Sequence, residues 1–234
     1  MSLGIQLYSV RDDIGPAALG RTLQRLAGFG FTHAEPYDIL SDTEGLNRAL
    51  DAAGLQADTA HAKITELDRG RVLDAAERLG IGTVIVPFVP PASIADHDGV
   101  LALADAVNAV VPVAADRGIR IGYHNHDFEF SQRIDGRTAY DVLVDALDPA
   151  VVLELDTHWA AAGGEDVAAL LERLGDRVRF LHVKQDDANP YDVAELVALA
   201  GSLELPVVEV VVHEGDVFPL VERNAAYFTG LVHA

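Results

Sequence analysis

The chain of 234 residues contains no cysteine. Disulfides, iron–sulfur clusters, thiolate zinc sites and thiol nucleophiles are thereby excluded. Basic residues are scarce: Lys and Arg total 17 against 37 Asp and Glu, a formal net charge of −20. A field of that sign repels DNA, RNA and anionic lipid, so no nucleic-acid partner is expected. Lys63 and Lys184 are the only lysines, and Trp159 the only tryptophan. No apolar run approaches the roughly 18 residues of a spanning helix. Met1 to Ser9 carries no basic stretch ahead of its apolar residues. Neither a membrane span nor a signal peptide is expected, and a cytoplasmic location is the default expectation. No linker or low-complexity tract interrupts the chain, so residues 1–234 read as one domain.

What is present is a repeat of kind rather than of sequence. Ala/Leu-rich stretches end in glycine, and short apolar runs follow at once, as after Gly30, Gly54, Gly82 and Gly118. Glycine is the usual left-handed terminator of a helix. Eight strands are predicted at residues 4–8, 31–36, 56–61, 83–87, 120–125, 151–156, 178–183 and 206–211. Their apolar character on both faces suits strands covered on both sides. Amphipathic helices are predicted between them, among others at 17–28, 66–79, 100–117, 162–174 and 193–200. This alternation implies parallel strands joined by crossover helices, and eight units close into a (β/α)8 TIM barrel. The rival, an open doubly wound sheet, usually opens on a Gly-rich phosphate loop. Here the first strand runs into Tyr8-Ser9-Val10-Arg11-Asp12 instead.

Active sites of such barrels form at the C-terminal strand ends. Strand two ends in Glu35 and strand three in His61. Strand five runs into Tyr123-His124-Asn125-His126-Asp127-Phe128-Glu129-Phe130. Strand six reads Leu153-Glu154-Leu155-Asp156-Thr157-His158-Trp159, strand seven Leu181-His182-Val183-Lys184, and strand eight carries Glu209. Each of these groups is costly to bury alone, and four successive strands place one at the same rim. His124, Asp156, His182 and Glu209 form a mixed imidazole–carboxylate set that suits one divalent ion, Mn, Zn, Co or Mg. His126 and Lys184 lie two residues beyond His124 and His182, on the same faces, and are candidate proton carriers with Glu209. Glu35, His61, Glu129, His158 and Trp159 are candidate substrate contacts, Trp159 by stacking on a sugar ring. Glu154 shares a face with Asp156 one layer deeper and, if it points inward, needs a partner such as a supporting histidine.

These segments, with residues 4–12 at the start, resemble the xylose isomerase-like TIM barrel superfamily, the sugar phosphate isomerase/epimerase group. Within it they are similar to branches that include inosose dehydratases and keto-sugar lyases. The resemblance implies a metal site of Glu, Asp, His and Glu on strands five to eight. By position Asp156, His182 and Glu209 match, and His124 stands where the first Glu is usual. It also implies a carbohydrate substrate and proton abstraction next to a carbonyl through a metal-stabilised enediolate. The expected activity is a sugar isomerase or epimerase. The alternative is a lyase or dehydratase acting on an inosose or 3-keto sugar, favoured by the loss of one carboxylate base at His124. A non-catalytic sugar- or partner-binding barrel is the reading from another class. The superfamily's DNA-repair nuclease is disfavoured by the acidic charge. No phosphate clamp is evident near strands seven and eight, where Asp186-Asp187-Ala188-Asn189-Pro190-Tyr191 stands, so a neutral sugar, polyol or keto sugar is expected. A homo-oligomer is an open expectation.

Overall fold

The computed structural model describes residues 2–185, 191–211 and 213–231. Eight parallel strands form one sheet: β1 (Gly4–Gln6), β2 (His33–Glu35), β3 (Thr59–His61), β4 (Thr83–Val86), β5 (Arg120–His124), β6 (Val152–Asp156), β7 (Val178–Val183) and β8 (Leu205–Val208). Their order is β2-β1-β8-β7-β6-β5-β4-β3. The remaining seam, between β2 and β3, is crossed by a parallel bridge from His33 to Gln56 and by Ala34 N–H donating to Gln56 O at 2.8 Å. The barrel is therefore nearly closed, and the eight-stranded architecture is the predicted one.

The principal crossover helices are α1 (Leu19–Gly28), α2 (Thr43–Ala53), α3 (Arg69–Leu79), α4 (His97–Asn108), α5 (Ala139–Ala146), α6 (Val167–Leu174), α7 (Val193–Leu199) and α8 (Phe218–Leu231). Asp42, Asp68, Asp96, Asp166 and Asp192 each accept a backbone N–H at the start of one of them. Part of the chain's acidity is thus helix capping, at roughly 1 kcal/mol per cap. An isolated hairpin, Arg133–Ile134 with Arg137–Thr138, lies between β5 and α5 and was not foreseen.

Several boundaries differ from expectation. The predicted helix 100–117 breaks after Asn108 and restarts at Val111–Ala115. Pro112 has no N–H for the Asn108 carbonyl, so the ladder cannot run through. The stretch His97–Ala115 nonetheless reaches 19 residues with a mean hydropathy of 1.5, long and apolar enough to cross a membrane by length and composition, where no such run is expected. In the fold it is a crossover whose Val100, Ala104 and Val107 are buried. Gly80, with φ 73°, terminates α3, not Gly82, whose N–H already bonds Asp58 O at 3.0 Å as the chain enters β4. β1 ends at Gln6, and residues Leu7–Asp13 wind into 3-10 turns.

The interior is layered. Ile85, Phe180, Leu205 and Val207 form a small apolar plug within the lumen, separate from the main core between sheet and helices. Gly4 and Gly122 make room for it: a Cβ at Gly4 would meet Leu205 and Val207 at 3.1 Å, one at Gly122 Ile85 at 3.0 Å. Inward-facing residues alternate, so each strand next presents a polar group above the plug. Glu154 follows Val152, His182 follows Phe180, and Glu209 follows Val207. Register carries them to one rim, with Asp156 opposite His182 and Gln6 opposite Glu35.

Between Thr157–Ala162 and α6 the chain breaks at Gly163 and Gly164, where a continuous helix from 162 was predicted. A side chain at Gly163 would meet Asp127 O at 2.7 Å and the Phe130 Cβ at 2.6 Å. Gly163→Ala is expected to cost about 1–3 kcal/mol by forcing the two active-face turns apart. Gly20→Ala, in α1 with nothing within 4 Å, is expected to raise stability by up to about 1 kcal/mol. Urea unfolding midpoints measure both, and equal shifts of one sign would contradict the packing at Gly163.

Candidate metal centre and catalytic cleft

Strand ends bring three histidines, His61, His124 and His182, and four carboxylates into one cluster. At its centre is Glu154, fully buried, whose Oε2 lies 2.6 Å from His61 Nε2, 3.1 Å from His182 Nε2 and 3.2 Å from His124 Nδ1. Glu35 lies at the same depth. Its Oε1 accepts from Gln6 Nε2 at 2.6 Å and lies 2.8 Å from His182 Nε2. Above this tier His182 turns its other nitrogen to Glu209 Oε2, at 3.1 Å, and Asp156 Oδ2, at 4.0 Å. His124 and His182 thus stand between a lower and an upper set of ligand atoms.

Local chemistry aims each group. Asp156 Oδ1 caps the helix Thr157–Ala162 by accepting Trp159 N–H at 2.7 Å, which leaves Oδ2 to the cluster. Asn125 is not a ligand. Its amide bonds the Asp156 backbone in both directions, at 3.0 and 3.2 Å, tying the ends of β5 and β6 together. Thr157 Oγ1 donates to His182 O at 3.1 Å, and Glu209 N–H donates to Val183 O at 3.1 Å.

The electrostatics are those of buried like charges sharing few counter-charges. Burial, with Glu209 beside it, pushes the Asp156 carboxyl up to about 8. Burial also raises Glu35, with Glu154 adding to it. Burial acts against the charge of His182, but Glu154, Glu209 and Glu35 together hold it well above its ordinary value. Burial opposes the charge of Glu209 too, yet His182 brings it down to about 2. Burial and neighbouring His182 push His124 down to about 3, and burial holds His126 at about 4. Both are neutral imidazoles at pH 7, the form that ligates a metal or takes a proton.

His124, Asp156, His182 and Glu209 bring ligand atoms within 4.8 Å of one another, all buried. His61, His124, Glu154 and His182 do the same one tier lower. The upper set fits a divalent ion: two carboxylates that repel each other and two imidazoles, with no thiolate. The lower set is joined by direct hydrogen bonds among its own members and reads as the support that orients His124 and His182.

A cleft of about 560 Å3 opens above the upper set, lined at its base by His61, His124, His126 and Glu209. Trp159 stands on its wall, with the Tyr8, Tyr37, Lys63, Leu67 and Phe88 side chains further out. A small side cavity of about 20 Å3 joins Asp156, His158, Trp159, Lys184 and Glu209. Of the predicted substrate contacts, His61 and Trp159 line the cleft and His158 the side cavity. Glu35 and Glu129 line neither. Glu35 is held in the lower tier, and Glu129 is buried behind the wall, accepting from the Tyr123 hydroxyl at 2.9 Å and His126 N–H at 2.8 Å. Both therefore stand away from the cleft where substrate contact was expected, with Glu35 Oε1 and the Glu129 carboxylate engaged by the protein's own groups. Tyr37, Lys63, Leu67 and Phe88 were not singled out from the sequence, because they sit in loops without periodicity. Of the segment Asp186–Tyr191, where no phosphate clamp is expected, residues 186–190 lie outside the described residues.

Residues 23–195 match the family described as xylose isomerase-like TIM barrel. The chain belongs to that family. Curated relatives include the inosose dehydratase of Geobacillus kaustophilus, 32% identical over 96 residues, 41% of this chain and 29% of that protein. That of Clostridium beijerinckii is 33% identical over 96 residues, 41% of this chain and 30% of the other. The matched segment thus spans about 30% of these relatives' length. Among solved structures, a sugar phosphate isomerase/epimerase from Parabacteroides distasonis superposes with a TM-score of 0.86 at 22% identity, covering 97% of this chain and 92% of that one. A 3-keto-D-glucoside 4-epimerase from E. coli gives 0.73 at 17%, covering 98% and 99%. At these identities the structures speak for the fold.

Burial pushes the Glu129 carboxyl up to about 7, against the lowering effect of its hydrogen bonds. Between about pH 4.5 and 7 the unfolded carboxyl ionises while the folded one keeps its proton, so this group removes stability as pH rises through that window. Glu129→Gln cannot ionise and is expected to lack that loss. Denaturant midpoints of both proteins across the window test it, and a constant difference between them would count against the buried, protonated form.

Proposed function

We propose that the protein is a divalent-metal-dependent isomerase or epimerase of a sugar, keto sugar or polyol, acting by removal of a proton next to a carbonyl. The observation that carries this reading is the buried set His124, Asp156, His182 and Glu209 at the foot of an open cleft. Family membership supports it.

When bound, a divalent ion such as Mn, Co, Zn or Mg supplies positive charge that polarises substrate oxygens and stabilises an enediolate. Asp156 and Glu209 would hold it with His124 and His182. Glu209 alone of the four acid–imidazole ligands presents a carboxylate to the cleft wall, and His182 keeps it ionised, so it is the base that takes the proton. His126 lines the same cleft as a neutral imidazole that can accept a proton from a substrate hydroxyl, and the proton taken by Glu209 is the one available for return to carbon. Lys184 borders the side cavity with Asp156 and Glu209, where its ammonium offsets their charge and can hold a substrate hydroxyl. His61 and Trp159 would contact the ring.

A specific observation favours a second outcome of the same first step. With His124 on β5, only one carboxylate base of the set faces the cleft, which suits proton removal followed by loss of a hydroxyl. The curated relatives named as inosose dehydratases support that dehydratase reading.

Elemental analysis of the purified protein is expected to find about one divalent ion per chain, reduced in Glu209→Gln and Asp156→Asn. Wild-type protein that takes up none of Mn, Co, Zn or Mg would leave a sugar- or partner-binding barrel in its place. His124→Glu is expected to retain the ion and to move products from elimination towards epimerisation. Unchanged product ratios would place His124 away from the reacting carbon.

A further inference from the structure

The cleft above the metal-type site is divided by polarity. Its base is imidazole and carboxylate: His61, His124, His126 and Glu209. Its outer part is built mainly from Tyr8, Tyr37, Ile39, Leu40, Leu67 and Phe88, with Asp38 and Lys63 as its charged members. Among the described residues six large hydrophobic side chains are exposed, and three of them stand on this one cleft: Tyr8 at 41%, Leu67 at 45% and Phe88 at 36%. The other three, Leu101, Val113 and Leu199, lie on the outer helices. Each exposed apolar surface costs about 25 cal/mol per Å2 left in water. Clustered apolar exposure at the mouth of a pocket marks a surface that a ligand covers.

The rings there are held in place. Tyr8 and Tyr37 meet edge to face at 5.2 Å, with the Arg11 guanidinium 4.7 Å from the Tyr8 ring centre. Phe88 packs edge-on against His126 at 5.4 Å and Phe128 at 5.8 Å, and the Lys63 ammonium lies 5.6 Å from its centre. These contacts pre-order a wall for a flat apolar group rather than leaving loose side chains to collapse on one another. The cleft's 560 Å3 lies in the range of about 300–1,000 Å3 that holds drug-sized ligands, more than one sugar ring needs.

We propose that the substrate is a glycoside whose sugar ring carries an oxo group, the carbonyl next to which the proton is removed, rather than a free sugar. Its sugar ring sits at the acid–imidazole base, and its aglycone, an aromatic or similarly flat apolar group, lies against Tyr8, Tyr37, Leu67 and Phe88. The inference rests on the reading of the base as a sugar-processing metal site. Selectivity then comes from the outer wall, which the reacting carbon does not touch.

The test compares phenyl β-D-glucopyranoside with methyl β-D-glucopyranoside, by titration calorimetry on the metal-loaded protein. Phenyl glucoside is expected to bind at least about tenfold tighter, the gain of roughly 1.4 kcal/mol that covering a ring provides. In Phe88→Ala and Leu67→Ser that ratio is expected to fall towards one. Both positions are surface-exposed, so neither variant threatens the fold, and circular dichroism checks this. Equal affinities in the wild type, a ratio untouched by both variants, or no binding of either glycoside overturns the proposal. Metal content is measured on the same samples. A protein that holds its ion but shows no phenyl preference loses the aglycone wall and keeps the metal-site reading. A protein that prefers the phenyl glycoside without taking up any ion does the reverse.

Discussion

The structure turns on one carboxylate. Glu154 is fully buried in the lumen of the barrel, and a single oxygen of it lies within hydrogen-bonding distance of three imidazoles, those of His61, His124 and His182. An ionised group at that depth is tolerable only with partners on hand, and these partners come from three different strands. The network therefore locks β3, β5, β6 and β7 in rotation as well as in register. It also decides the orientation of the two histidines that face upward into the site. With Nε2 of His182 engaged below, its Nδ1 is directed to Asp156 and Glu209. A ligand set that looks like four independent strand ends is in this sense one assembly standing on Glu154.

The same layering explains why polar chemistry appears at one height only. Below the network the lumen is filled by Ile85, Phe180, Leu205 and Val207, admitted by the missing side chains of Gly4 and Gly122. Above it the strands end, and the loops supply an apolar, aromatic wall. The barrel thus grades from a dry plug through a charged tier to an aromatic mouth. Such a gradient suits a substrate whose reactive part is polar and whose remote part is not. Binding energy from the remote part can then position the reacting carbon.

Among the described residues the acidic surplus divides between roles. Several aspartates cap helices, and others engage arginines at the surface, as Glu204 does with Arg120 and Arg179. A smaller group, Glu35, Glu154 and Asp156, with Glu209 beside them in the ligand set, places its carboxyls in the interior. Only this buried group bears on chemistry, because only there is the charge poorly screened.

By itself the sequence determined the eight-fold strand–helix alternation, the barrel, and which residues of β5 to β8 face inward. Those features depend on local periods of two and 3.6 residues and on glycine and aspartate at helix ends, all of which are read along the chain. Tertiary structure decided depth. Glu35 and His61 end adjacent strands in the same way, yet only His61 reaches the cleft, because pairing with β1 and β7 holds Glu35 in the lower tier. Glu129 shares a segment with His126, yet the turn after β5 folds it back onto Tyr123. Tyr37, Lys63, Leu67 and Phe88 belong to loops whose sequences carry no period, so their meeting over one cleft followed only from how the barrel's strands are staggered and closed.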